Sequence, residues 1–336
     1  MKQLLVLGLA VLAVSCNTAQ NAVAKKMTRT DYANTITAAE LRDHLMIFAG
    51  DAMQGRMTGT EGQRLAAQYL KNYYQEIGIA APEAQPDYFQ EIPASYFSRM
   101  KEPVGSENVV AFIEGTEKPE EIIVLSAHYD HVGMREDGTI FNGADDDGSG
   151  TTAMLEIAEA FKKAKEDGNG PKRSILFLHV TGEEIGLYGS KYYTENPIYP
   201  LANTVTNLNT DMIGRIDPDK MDNPNYIYLI GSDKLSQDLH DLSEAVNKQY
   251  VGLELDYTYN DENDPNRFYY RSDHYNFAKN NIPVIFYFNG THEDYHKPTD
   301  TPDKIEYDLM AKRTRLIFQT AWEIANRDER ITADKL

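Results

Sequence analysis

Five positions along the chain gather carboxylates and imidazoles into short clusters: His128-Tyr129-Asp130, Asp145-Asp146-Asp147, Glu183-Glu184, Asp211 and Tyr295-His296. Imidazole nitrogen and carboxylate oxygen are the ligand set for borderline divalent cations such as zinc. Two imidazoles, two or three aspartates and a glutamate suffice for two ions. A carboxylate can bridge them, and ions about 3.5–4 Å apart can share a water and clamp a tetrahedral intermediate. Such chemistry also needs a base that is not a ligand, and the Glu183-Glu184 pair offers one carboxylate for each task. Cys16 is the single cysteine, so neither an intramolecular disulfide nor a Cys-rich zinc module can form.

The elements that must carry these residues alternate. Thr37 precedes a helix with Leu41, Leu45 and Phe48 on one face, and further helices are predicted over 61–78, 151–165, 236–250 and 307–328. Apolar runs over 108–115 and 121–128 read as adjacent strands; 173–180, 204–211 and 282–290 read as three more. Residues 173–180 are continuously apolar, as in buried parallel sheets. This pattern predicts a single layered α/β domain with a mostly parallel central sheet flanked by helices. Each of the five clusters falls at or just beyond a predicted strand end, where open α/β sheets bind their ligands.

The elements HxD, GADDDGSG, EEIGLYGS, NTDMIG, SDHYNF and YHKPTDT, in this order, resemble the M28 family of dinuclear zinc peptidases. The resemblance spans residues 36–326. It implies an aminopeptidase-like exopeptidase acting on peptides, with two zinc ions per chain. It places His128, Asp146 and Asp211 on one ion, and Asp146, Glu184 and His296 on the other, with Asp146 bridging. It gives Asp130 the role of orienting the His128 imidazole, and Glu183 that of general base toward a zinc-bound water. Tyr295 and Tyr269 each match a phenol that stabilises the oxyanion in some members, and Tyr295 is the preferred assignment. Arg271 is a substrate-placing residue in this reading, and the Asp146-Asp147 peptide is expected to be cis.

Other histidines have plainer readings. His179 lies mid-strand and reads as a core residue; His44 and His240 lie on helices, away from metal. His131 follows Asp130 and could be drawn into the site, but reads first as a hydrogen-bonding loop residue; His274 reads as structural, and His292 as a false candidate for the role of His296. Residues 257–270 are a pocket wall or a surface loop. The alternatives are a glutaminyl cyclase-like acyltransferase, a carboxypeptidase or dipeptidase of the same clan using Arg271 or Arg267, and an inactive binding module. The last predicts a missing ligand or base, and none is missing.

The 33 Lys+Arg and 52 Asp+Glu give a net charge of -19, which argues against a nucleic-acid partner. Leu4 to Val14 is an apolar run too short to span a bilayer but suited to a secretory signal. It ends at Ser15-Cys16, in the manner of a bacterial lipobox. The expected organisation is a signal peptide over 1–15, a lipidated tether over 16–30 and a peptidase domain over 31–336. The membrane is then met only through lipidated Cys16, in an exported lipoprotein anchored in the periplasm or at the cell surface.

Overall fold

Residues 173–180 are buried along their whole length, with Ile175 and Phe177 facing one apolar cluster and Leu176 and Leu178 facing another. A strand apolar on both faces belongs inside a sheet covered on both sides. The computed structural model, which describes residues 26–335, places it there. In chain order the strands are β1 (Phe89–Ile92), β2 (Ser106–Ile113), β3 (Lys118–His128), β4 (Gly133–Met134), β5 (Ile140–Phe141), β6 (Arg173–Val180), β7 (Thr204–Thr210), β8 (Tyr226–Ile230), β9 (Glu254–Asp256) and β10 (Val284–Phe288). The central sheet has the order β1-β2-β6-β3-β7-β10-β8-β9, and β4 and β5 form a separate ribbon. The inner strands β6, β3, β7 and β10 are mutually parallel, while β2 and β8 flank them antiparallel.

The expected pairing of the runs at 108–115 and 121–128 is corrected: β6 lies between β2 and β3. The connection between them wraps the start of β6. The N–H groups of Thr116 and Lys118 donate to the carbonyls of Pro171 and Lys172 at 3.0 and 2.8 Å. A gap one strand wide is left, and the wholly buried β6 fills it.

Among the described residues eight helices cover the sheet: α1 (Arg29–Ala33), α2 (Ala38–Phe48), α3 (Glu61–Glu76), α4 (Gly150–Glu166), α5 (Tyr188–Glu195), α6 (Gln237–Tyr250), α7 (His274–Ala278) and α8 (Tyr307–Asn326). Thr37 caps α2 by accepting from the Glu40 N–H, and Ser236 caps α6 through the Leu239 N–H. The core side chains of α2, α4 and α8 form one layer with Val109, Leu125, Phe177 and Ile285; Tyr193 of α5 and Phe277 of α7 cover the other face with Val110, Val124 and Leu178. Residues 1–25, with the expected signal and Cys16, lie outside the described residues. Thr28, Arg29 and Thr30, read as tether, begin α1: Thr28 makes a capping box with Asp31, and the Arg29 guanidinium meets Gln319 and Glu323 of α8.

Candidate metal centre

His128 is the last residue of β3, and Asp211 follows β7 directly. Glu183 and Glu184 lie just past β6, and His296 lies on the loop that follows β10. The parallel strands thus deliver their ends to one edge. His128 Nδ1 lies 3.0 Å from the backbone carbonyl of Asp130. Donating that N–H leaves Nε2 as the free donor atom. The Asp130 carboxylate is farther from the ring, with Oδ1 at 3.7 Å. It accepts instead from Thr58 Oγ1 at 2.8 Å and from the Glu183 N–H at 3.2 Å. The Asp130 carboxylate thus stands beside the imidazole it is expected to orient, the Asp130 carbonyl faces the ring's Nδ1, and the carboxylate also ties down the turn that carries Glu183.

The three aspartates separate by their hydrogen bonds. Asp145 accepts from the Gly214 N–H at 2.6 Å and meets His292 Nε2 at 3.1 Å. Asp147 accepts from the N–H groups of His128, Gly150 and Met212 at 2.9–3.1 Å. Asp147 also lies within ligand reach of His128 and Asp211, with those three N–H groups engaging its two oxygens. Asp146 has Oδ1 3.2 Å from His128 Nε2 and Oδ2 3.0 Å from His296 Nε2. One carboxylate facing two imidazoles from opposite oxygens is bridging geometry. The Asp146-Asp147 peptide is cis, as the resemblance implied.

On the first side, Asp211 Oδ1 lies 3.5 Å from His128 Nε2, and Ser272 Oγ donates to Asp211 Oδ2 at 2.6 Å. On the second, His296 Nε2 lies 3.1 Å from Glu184 Oε2. His131, read from sequence as a hydrogen-bonding loop residue, is drawn into this side: its Nδ1 lies 2.7 Å from Glu184 Oε1 and 3.8 Å from Asp146 Oδ2. His131 Nδ1, Asp146 Oδ2 and Glu184 Oε1 are buried, and none makes a hydrogen bond among the described residues. Buried polar atoms converging without hydrogen-bond partners, from imidazole and carboxylate together, fit a zinc-type cation.

The electrostatics agree. Burial pulls the His296 pKa down, but the close carboxylates of Asp146 and Glu184 outweigh it and carry the group up to about 10. Burial, with repulsion from Glu184 and Asp211, outweighs the charge of His128 and pushes the Glu183 carboxyl well above its usual range. A carboxylate made reluctant to ionise is a stronger base, which suits proton transfer near neutral pH.

Groups that sequence reasoning passed over hold the centre in place. The buried Arg56 guanidinium donates to the carbonyls of Tyr129, Phe48, Asn142 and Gly143 at 2.7–3.1 Å. It binds the His128 loop to the approach to Asp146. The Asp300 carboxylate, just past Tyr295-His296, accepts from the N–H groups of Asp145 and Asp146 at 3.0–3.2 Å. Asp300 belongs to the YHKPTDT element, which was the available signal for it. Arg56 sits in a loop of positive φ with no chemical motif around it.

A cleft beside the acids is lined by Asp146, Glu183, Asp211, Arg271, Tyr295 and His296, with Met212, Phe268, Phe286 and Phe288 as apolar wall. Residues 257–270 therefore contribute a pocket wall through Phe268. The Tyr295 ring stacks on His296 at 3.9 Å, and Arg271 Nη2 lies 3.5 Å from its hydroxyl. Tyr269 is outside the cleft: its ring packs on Tyr270, His274 and Tyr275. Burial raises both phenols; Tyr295 is raised further by Asp146, Glu184 and Asp211, while only neighbouring tyrosines add to the shift of Tyr269. Of the two phenols considered for the oxyanion role, Tyr295 is the one that lines the cleft. His292, the false candidate for the role of His296, meets Asp145 instead, and His179 is the core residue expected, paired with the Tyr74 hydroxyl.

The profile of peptidase family M28 matches residues 108–321, more than half of the chain, and the chain belongs to that family. It is 36% identical over 124 residues to a probable zinc metalloprotease of Leptosphaeria maculans, covering 36% of this chain and 26% of that protein. It is 28% identical over 224 residues to a probable leucine aminopeptidase of Arthroderma otae, covering 65% and 57%. The LapA aminopeptidase of Legionella pneumophila has the same fold, with a TM-score of 0.68 at 22% identity over 90% of this chain and 75% of that one. The chain spans about a quarter to a third of the length of the zinc metalloprotease relatives.

Proposed function

We propose that this chain is a dizinc aminopeptidase that removes N-terminal residues with apolar side chains from peptides. The observation that carries the reading is Asp146, which faces His128 and His296 from its two oxygens at the mouth of an apolar cleft. His128, Asp146 and Asp211 would hold one ion, and Asp146, Glu184 and His296 the other. Bound zinc supplies Lewis acidity, lowering the pKa of a water and polarising a carbonyl. Glu183, raised in basicity, takes the proton of the attacking water and passes it to the leaving amine. Tyr295 donates its hydroxyl proton to the developing oxyanion. Met212, Phe268, Phe286 and Phe288 surround an apolar side chain and exclude water from it. The acidic surroundings favour a protonated α-amine as the second anchor, which supports attack at N-termini.

The apolar run ending at Cys16 supports an exported, lipid-anchored form of this enzyme; among the described residues no helix is long and apolar enough to cross a membrane. Cys16→Ala then releases the protein from the membrane fraction with its specific activity unchanged.

A substrate panel tests the activity: leucyl and glutamyl anilides, the same compounds N-blocked, dipeptides, and an N-terminal glutaminyl peptide, each with and without chelator. Cleavage of free-amine substrates with leucyl above glutamyl, lost with chelator and restored by zinc, is expected. Preferential cleavage of N-blocked substrates with a free carboxylate, or cyclisation of the glutaminyl peptide, overturns it in favour of a carboxypeptidase or a cyclase.

A further inference from the structure

We infer that His131 is a fourth protein ligand of the second ion, joining Asp146, Glu184 and His296. This rests on the dizinc reading above and departs from the ligand set that the family resemblance implies. Zinc bonds of about 2.0–2.1 Å in a tetrahedral site place ligand atoms about 3.3–3.4 Å apart. His131 Nδ1 lies 2.7 Å from Glu184 Oε1 and 3.8 Å from Asp146 Oδ2, and His296 Nε2 lies 3.0 Å from Asp146 Oδ2 and 3.1 Å from the other Glu184 oxygen, Oε2, so the two imidazoles approach the two carboxylates at separations scattered around that edge. His131 contributes two of them.

A hydrogen-bonded partner of Glu184 would look different. His131 Nδ1 comes within 2.7 Å of Glu184 Oε1, yet neither atom meets hydrogen-bond geometry with any partner among the described residues. Nitrogen and oxygen instead point to common space. A core imidazole is excluded as well, since a fully buried ring with neither nitrogen bonded leaves two polar atoms uncompensated. The ring is held by packing. Its Cγ and Cδ2 press on Gly143, where a Cβ would come within 2.5 Å, and the His131 N–H donates to the Arg56 carbonyl at 3.2 Å.

Four protein ligands make the second ion a closed site, while the first keeps three and an open position. Glu183 and Asp211 line the cleft on that open side, whereas His131 and Glu184 do not. The two ions then differ in tightness and in task.

X-ray absorption at the zinc edge of the full two-zinc protein counts imidazoles directly. Three per pair of ions are expected: His128, His131 and His296. Competition against a chromophoric chelator should show one of two zincs weakened by more than about 100-fold in His131→Ala and His131→Gln. A residue acting only through a ligand costs about 10–100-fold. Two imidazoles per pair, or two zincs held with unchanged affinity in folded variants, overturn the assignment of His131. Wild-type protein that takes up fewer than two zincs overturns the dizinc reading itself. Should both variants fail to fold, the wild-type count still decides.

Discussion

The Glu183 N–H donates to Oδ1 of Asp130 at 3.2 Å, so the turn carrying the base is fastened to the loop carrying the first imidazole. The neighbouring glutamate faces elsewhere, toward His131 and His296. Two adjacent carboxylates thus have separable tasks. Glu183→Gln should keep two zincs per chain and lose about 10²–10⁴-fold in turnover. Glu184→Gln should lose one zinc, because a neutral amide oxygen is a poorer ligand, and recover in part with added zinc. Metal analysis alongside kinetics checks both, and the reverse pattern reverses the assignment.

Tyr295→Phe should lower kcat by about 10²–10³ with KM little changed, as for loss of one oxyanion donor. Tyr269→Phe should leave both constants near wild type, since that ring packs on other aromatics outside the cleft. Steady-state kinetics on a leucyl substrate separate the two.

Zinc uptake should release protons. Burial pulls His128 and His296 down, but the surrounding carboxylates carry both above neutrality. Zinc binds only the deprotonated ring, so loading displaces protons and weakens as pH falls. Calorimetric titration in buffers of different ionisation enthalpy reads the number released; a buffer-independent heat contradicts this. Thermal unfolding should also shift upward with zinc, by about 2.7 kcal/mol at a hundredfold excess over Kd.

His179 supplies an acid-sensitive core. Burial lowers its pKa to about 3 from an ordinary 6.5, so the unfolded chain binds the proton more readily. Stability held above pH 6.5 is lost as pH falls toward 3. By pH 5 the loss amounts to about 2 kcal/mol from this one ring. Urea unfolding at pH 7 and pH 5 should show a pH-dependent loss smaller by that amount in His179→Gln, which still offers an acceptor to Tyr74.

Arg56→Met should destabilise the fold by about 3 kcal/mol or more, by leaving buried carbonyls without their donor. Arg56→Lys should recover little, because a single ammonium cannot span four carbonyls. Denaturant midpoints of the three proteins check this.

The sequence showed what periodicity and chemistry could carry. The run at 173–180 became β6 with unchanged bounds, and the long amphipathic helices kept theirs within a few residues. β1 and β9 were not legible because four- and three-residue edge strands have no period to read. β8, the short apolar run Tyr226–Ile230, and the short helices α5 and α7 were passed over as well. In the site, the ligand types at strand ends were legible one by one. The position of β6 between β2 and β3 was not, because strand order is set by pairing at long range. The place of His131 beside the second acid was legible only as an alternative, because it depends on Glu184, which is distant in sequence. Arg56 and Asp300 act through backbone groups, which no side-chain motif records.

The position of β6 sets a timetable for the enzyme. β3, which carries His128, pairs on one side with β6 and on the other with β7, and neither exists until far more chain has emerged. Contacts of such separation are slow to form. His296 arrives later still, beyond β10. A nascent chain therefore lacks part of the ligand set until nearly its whole length is available. The proposed hydrolytic site is thus the last thing completed in the making of the molecule.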